Sequence, residues 1–484
     1  MRRSGSDPDR ELDPNTRMNE QRSIAVIGAG FSGTILAAHL LRRSQGSLRI
    51  YLINRSGRLA RGVAYGTRNS RHVLNVPAGR MSAFAEDEND FLRFAQDRDP
   101  NIAGGSFVPR HLYGDYLEHV LLSAQSKSAR GTVLAHVADE VLSIDDAPDN
   151  RALVTLAHHT PLMVDRVVIA AGNYPPASPW PPDERFPADP RFVVDPWKPL
   201  ALDGIAGDRP IAIIGTGLTM VDIAIDLAAR GHTGGMIAIS RRGLLPQPHR
   251  HGTTPPAFDH LPPDIMATEP TAAGYLKSVR RHVHRLERED IDWREVVASL
   301  RPVTPDLWRA LPLPEKTRFL RHLRPYWEVH RHRMAPELWN SLEALLTSGA
   351  LEVVPARLTS VVAADDALCL TIRRRERPSP ETLRVAALVN CTGPEADVRK
   401  LRDPLLSDLL RRGIASADPS GLGLRVDGDY RLIGKGQLVS SILSLTGPLL
   451  KGEFWEATAV PELRVHAGRL AERLSNELSL VALA

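Results

Sequence analysis

Ser23-Ile24-Ala25-Val26-Ile27-Gly28-Ala29-Gly30-Phe31-Ser32-Gly33 is the stretch whose reading decides the fold. Five apolar or small residues form a buried-strand run that stops at Gly28. Phe31 to Arg43 follows with helical spacing, and Leu48 to Ile53 is a second apolar strand. Strand, glycine turn, helix and strand thus fall within about 30 residues, the span of a dinucleotide-binding βαβ unit. In such a turn Gly28 permits the sharp reversal, Gly30 admits a pyrophosphate to the backbone, and Gly33 lets helix and strand pack closely. The first helical residues, Phe31 and Ser32, offer free N–H groups and the positive end of the helix dipole to phosphate. An acid usually ends the second strand and holds a ribose 2′-OH. Here Asn54 stands in that place, with Arg55 beside it to meet a phosphate.

The pattern recurs. Pro210-Ile211-Ala212-Ile213-Ile214 runs into Gly215-Thr216-Gly217-Leu218-Thr219-Met220, then a helix, then a strand from Met236 to Ile239. Met220 replaces the third glycine, so this helix is expected to sit further from its strand. Ser240-Arg241-Arg242-Gly243 follows the strand. Arg241 and Arg242, where an acid would hold a 2′-OH, suit a 2′-phosphate, hence NADPH over NADH. Each half then shows antiparallel strands and a strand closing on glycine, Gly172 in the first and Gly393 in the second.

The expected fold class is α/β: two Rossmann-like dinucleotide-binding domains with antiparallel meanders and a helical insertion. Residues 1–21 are expected to be a disordered polar tail, in which Met18 is an alternative start. One cofactor domain is assigned to 22–190 and 350–484, and the other to 200–349, with the helical insert at about 249–349. A Pro-rich crossing runs from Pro175 to Pro187. The insert carries 14 Lys/Arg against 9 Asp/Glu between Thr271 and Asn340. This favours an anionic or phosphate-bearing small molecule, and nucleic acid is the weaker reading because acids and tryptophans interleave.

At 43% hydrophobic, 24% charged and net +4, the 484 residues read as a soluble chain of two or three domains. No apolar run is long enough to span a bilayer. The two cysteines, Cys369 and Cys391, form no C-x-x-C, which argues against a dithiol relay and fits a cytoplasmic protein. His330 and His332, read as an extended segment, have no third ligand at metal spacing, so no metal site is assigned. Tyr65 and His72 are read as packing groups rather than proton-handling ones, and no catalytic residue is assigned.

The runs Arg61-Gly62-Val63-Ala64-Tyr65-Gly66-Thr67, His72-Val73-Leu74-Asn75-Val76-Pro77-Ala78, Pro109–Leu117 and Thr446-Gly447-Pro448-Leu449-Leu450-Lys451-Gly452 make the chain recognisable. They resemble the bacterial FAD-NAD(P)-binding family of oxidoreductases. That family looks like a branch of the two-dinucleotide-binding-domain flavoproteins, beside flavin-dependent N-hydroxylases and Baeyer–Villiger-type monooxygenases. The resemblance implies FAD on the first domain and a nicotinamide cofactor on the second. It implies that Asn75 and Pro77 line the isoalloxazine. Gly447, Pro448 and Thr458 would precede or open the last helix, whose N-terminus would stabilise the reduced ring.

The expected function is an FAD-dependent, NADPH-using oxidoreductase: a monooxygenase hydroxylating a small, amine-bearing or anionic molecule through a flavin hydroperoxide. Two alternatives stand beside it. One is a flavin-dependent reductase or dehydrogenase without oxygen insertion. The other is a redox-responsive binding protein that uses its basic helical insert. Substrate and oligomeric state are left open.

Overall fold

A computed structural model describes residues 21–177, 189–250, 259–377 and 379–481. The expected tail, apart from Gln21, lies outside the described residues, as do Met18 and most of the Pro-rich crossing. The chain opens with β1 (Arg22–Ile27), α1 (Phe31–Arg43) and β2 (Leu48–Ile53). Then come α2 (Gly62–Tyr65), α3 (Asp90–Gln96) and α4 (Arg110–Ser126), followed by β3 (Val133–Val137). The strands β4 (Val141–Ala147), β5 (Arg151–Leu156) and β6 (Leu162–Val164) form a separate antiparallel sheet, and β7 (Arg166–Ile169) leads to Gly172. The antiparallel meander of the first half thus begins at Val141. β3 instead pairs parallel with β2, Ile50 opposite Leu134.

The second unit comprises β8 (Phe192–Val193), β9 (Ile211–Ile214), α5 (Leu218–Ala229) and β10 (Met236–Ser240). Its insert holds α6 (Ala272–Leu286), α7 (Trp293–Ser299), α8 (Thr304–Ala310), α9 (Leu313–His322), α10 (Arg324–Arg331) and α11 (Pro336–Thr347). The strands β11 (Leu351–Ala363), β12 (Leu368–Arg374), β13 (Glu381–Val385) and β14 (Ala387–Asn390) follow. The chain closes with α12 (Pro404–Arg412), β15 (Arg431–Ile433), β16 (Val439–Leu445) and α13 (Val460–Val481).

Two large sheets result. The first has the order β15-β16-β7-β1-β2-β3, and the second β13-β12-β11-β10-β9-β14-β8. This moves one expected boundary. Strands β11 to β14, assigned to the first domain from residue 350, continue the second sheet. β11 lies parallel to β10, with Met236 opposite Leu351, and β14 lies parallel to β9. The return to the first sheet comes after Asn390, when β16 pairs parallel with β7, Leu443 opposite Val167. The two crossings touch: Tyr174 and Glu395 form an isolated antiparallel bridge.

The central strands read as unbroken apolar runs because both faces are covered. β7 and β9 are buried at every position. Ile35, Leu36, Leu40 and Leu41 of α1 are fully buried between the first sheet and its helical neighbours, each contributing about 1.5–3 kcal/mol of apolar burial. The insert is tied to the C-terminal segment by Trp308 stacked on Trp455, ring centroids 4.6 Å apart, with the Trp308 indole donating to Gly452 O at 2.8 Å. Trp308 is buried, and Tyr326 on α10 is 43% exposed.

Candidate cofactor and substrate cleft

At the first turn Gly28 has φ +111°, and a Cβ there would lie 2.2 Å from Ala170 O. Only glycine adopts this conformation without strain. A Cβ on Gly33 would lie 1.9 Å from Gly28 O, so the close packing of α1 on β1 depends on its absence. A Cβ on Gly30 would meet only Gly62 Cα, at 3.7 Å, which leaves its backbone open to approach. Phe31 is buried and stacks near Tyr113. Ser32 is buried too, and its Oγ would lie 3.1 Å from a Cβ on Gly447. The Thr446-Gly447 segment reaches this place because Thr446 N donates to Ile169 O, extending the β16–β7 pairing. Thr446 Oγ1 is buried without a hydrogen-bond partner. An open glycine backbone at a helix N-terminus and an unpaired buried hydroxyl nearby are features a dinucleotide fits.

The second turn repeats the reversal. Gly215 has φ +102°, and a Cβ there would lie 2.4 Å from Cys391 O. Cβ atoms on Gly217 and Gly393 would meet nothing within 4 Å, again leaving open backbone. Met220 is fully buried. Thr216 fixes the arginine loop: its Oγ1 bonds Ser240 Oγ at 2.9 Å and Leu244 O at 2.6 Å. Arg241 is exposed on this loop, and no hydrogen bond or ion pair of its side chain is found among the described residues. Arg242 leans towards the insert, donating weakly to Arg321 O and His322 O at 3.4 Å.

A cleft of about 590 Å³ joins these parts. Of the residues expected to bind cofactor, Asn75, Gly172, Gly215, Gly217, Leu218, Thr219, Arg241, Arg242, Gly393, Pro448 and Thr458 line it. The first turn lies outside that lining and adjoins it through Gly447. Pro77 caps a short 3₁₀ turn behind Asn75. Thr458 precedes α13 by two residues rather than opening it, and Gly447-Pro448 begins a separate 3₁₀ turn.

Asn54 is committed locally: its amide donates to Arg58 O at 2.7 Å, and its Oδ1 meets His136 Nε2 at 3.0 Å. Arg55 faces Glu140 at 3.2 Å and Asp403 at 3.6 Å. Asn54 thus braces the loop after β2, while Arg55 is 57% exposed beside its two acids.

Several cleft residues escaped the sequence reading. Arg110, at the start of α4, crosses to Asp222 on α5 at 2.6 Å, and its Nε donates to Val73 O. Burial raises the Asp222 carboxyl above its ordinary value, while Arg110 pulls it back. Asn69 bonds Asp226 at 2.5 Å, and His249 Nε2 meets Asn75 O at 3.1 Å, so the first unit's loop is clamped to the second. At the insert end stand Arg324, Glu328 and His332, facing Lys451. Burial alone would raise the Glu328 carboxyl, but Lys451, His332 and Arg324 outweigh it and hold it at about 2. His330 belongs to α10 and His332 caps its end, so the segment read as extended is helical. The signal available was the i, i+4 pair Glu328 and His332, visible only once α10 is read as a helix. Tyr65 lines the cleft, its phenol pushed well up by burial. His72 lies outside the lining, with Nδ1 bonded to Thr67 at 2.8 Å. No cluster able to hold a metal ion occurs among the described residues.

The second glycine turn opens into the cleft, and the first adjoins it through Gly447. A family model described as FAD-NAD(P)-binding matches residues 25–174, in agreement with the expected cofactor pair. No curated protein matches the chain by sequence. Among solved structures, the reduced form of ornithine hydroxylase from Pseudomonas aeruginosa superposes with TM-score 0.62 at 18% identity, over 94% of this chain and 99% of that one. The chain has the two-dinucleotide-domain fold. L-lysine 6-monooxygenase from Pseudomonas syringae gives TM-score 0.64 at 16% identity over the same shares of the two chains. The FAD-bound cadaverine monooxygenase of the desferrioxamine pathway from Erwinia amylovora gives 0.62 at 14%, over 95% of both chains. No helix among the described residues is long and apolar enough to cross a membrane.

Proposed function

We propose that this protein is an FAD-dependent, NADPH-oxidising monooxygenase that hydroxylates the nitrogen of a small amine. The observation that carries this is the single cleft onto which the second glycine turn, the arginine loop and the Gly447–Val460 segment converge, with charged side chains at its far end. The amine class is taken from the ornithine, lysine and cadaverine enzymes that share the fold. Bound FAD would accept hydride from NADPH and activate dioxygen. This chain's own contribution is positional. Gly28, Gly30 and the α1 N-terminus would seat the FAD pyrophosphate, and Gly215, Gly217 and the α5 N-terminus the NADPH pyrophosphate. Asn75, Tyr65 and Leu449 would wall the space between cofactors and substrate. Free Cys391 is buried, its thiol pushed up by burial, and Cys369 lies on β12. Neither offers the paired thiolates of a disulfide relay.

Purified protein should be yellow, and should oxidise NADPH with oxygen uptake stimulated by L-ornithine, L-lysine or cadaverine, yielding a hydroxylamine. A colourless protein that cannot be reconstituted with FAD would overturn the proposal. Amine-independent NADPH oxidation without hydroxylamine would favour a reductase instead.

Arg241 supplies a separate test. Arg241→Ala should raise the KM for NADPH about tenfold or more and leave NADH use almost unchanged, because only the 2′-phosphate requires the cation. Equal effects on both nucleotides would assign Arg241 another role.

A further inference from the structure

We propose that His332 is the group that takes the proton from the substrate's ammonium, with Glu328 holding the imidazole in place. This rests on the amine-hydroxylating reading above. An ammonium has no lone pair, so its N–H bond must break before an N–O bond can form. His332 caps α10, its backbone N–H bonded to Glu328 O at 2.9 Å, and its imidazole lines the cleft with 23% of the side chain exposed. Nε2 lies 3.3 Å from Glu328 Oε2. This is an ion-pair contact rather than a formed hydrogen bond; a proton on Nε2 would face the carboxylate and leave the basic lone pair on Nδ1.

The charged groups around the imidazole are Glu328 and Arg331 of α10, with Lys451 and Glu456 of the C-terminal segment. Arg331 is drawn off to Glu456 at 2.9 Å, and Lys451 lies 3.5 Å from Glu328. Burial, the largest influence, lowers the His332 basicity, and the two carboxylates partly restore it. Burial thus favours the neutral imidazole, which can accept a proton, and the Glu328 carboxylate stabilises the imidazolium that results. The balance closes. R–NH3⁺ gives one proton to His332 and its freed electron pair to one oxygen atom of O2. NADPH supplies two electrons and a hydride's hydrogen. The other oxygen leaves as water, taking up the proton held on His332: R–NH3⁺ + O2 + NADPH → R–NHOH + H2O + NADP⁺.

The test uses holoenzyme and whichever of L-ornithine, L-lysine and cadaverine the wild type hydroxylates. Wild-type kcat/KM should fall at low pH along a limb with a midpoint below the usual histidine value. His332→Gln should lose about 100-fold at pH 7. It should regain most of that loss as pH approaches the amine's own value near 10. Dissociation constants read from flavin absorbance add a second measure. The primary amine should bind about tenfold more weakly to His332→Gln, while its trimethylammonium analogue, with no proton to give, binds both proteins equally. Glu328→Gln should move the acid limb to lower pH, since the carboxylate raises the imidazole's basicity; this holds the proposal open to test if His332→Gln does not fold. An unchanged acid limb in both variants, or an equal loss at every pH in His332→Gln, overturns the role of His332 alone. No hydroxylamine from any of the three amines with wild type overturns the amine reading and this inference together.

Discussion

Gly33→Ala should yield protein that retains little or no flavin and unfolds at lower temperature. The added methyl would sit 1.9 Å from Gly28 O and 3.3 Å from the Ala170 Cβ, both fixed by the central strands. Neither neighbour is a flexible side-chain end, so α1 must move away from β1. That helix has eleven buried residues, Phe31 to Leu41 without a break, and is packed on both sides. Overpacking at such a place costs roughly 1–3 kcal/mol or more. The displacement would also withdraw the helix N-terminus and the Gly30 backbone from the FAD pyrophosphate they are proposed to seat. The ratio of flavin to protein absorbance and a thermal melt measure the two effects. Gly217→Ala is the control. A Cβ there meets nothing within 4 Å, so stability and flavin content should hold while NADPH binding weakens. Flavin retained at full occupancy in Gly33→Ala would show that the turn relaxes, and that the packing argument is wrong.

Arg110→Ala should destabilise the protein by about 3–5 kcal/mol, because it leaves the Asp222 carboxylate buried without its partner. Asp222 has a side-chain exposure of 3%, and the 2.6 Å ion pair joins α4 of the first unit to α5 of the second. Adding Asp222→Asn should recover most of the loss, since a neutral amide carries a far smaller desolvation cost. The pH dependence follows in sign. Burial already raises the Asp222 carboxyl, and without Arg110 it rises further. The folded state then binds the proton more tightly than the unfolded chain. The penalty in Arg110→Ala should shrink as pH falls towards the acid range and be largest at neutral pH. Urea unfolding of the single and double variants at two pH values measures both claims. No recovery in the double variant would mean that the buried Asp222 carboxylate is not the source of the loss.

The glycine turns were legible in the sequence because their constraint is local. A reversal at Gly28 or Gly215 needs positive φ within a few residues of an apolar strand, and both strand and turn can be read from composition and spacing. The missed boundary at residue 350 has the opposite character. A strand pair around Leu351 to Ile372 and a strand from Leu383 to Asn390 are readable from their apolar runs. Which sheet they join depends on the pairing of Met236 with Leu351 and of Ile211 with Ala387, contacts across more than a hundred residues. No local pattern in the strands distinguishes those partners from β7 or β16. Asn54 and Arg55 show a similar gap: the departure from an acid was visible, but the contacts of the two side chains run to Arg58, His136, Glu140 and Asp403.

By itself the sequence determined two nucleotide turns in a repeated frame, a basic arginine loop after the second, a helical insert and the absence of paired cysteines. Each is a matter of residue type at short spacing, where backbone sterics and helix dipoles act. Only the tertiary structure decided that the insert turns Arg324, Glu328 and His332 to face Lys451, and that Arg110 fastens the two units through Asp222. Those charges come from segments far apart in the chain. Their proximity is set by how the two sheets and the insert bury their apolar faces, and that burial is non-directional and indifferent to which polar groups it brings together.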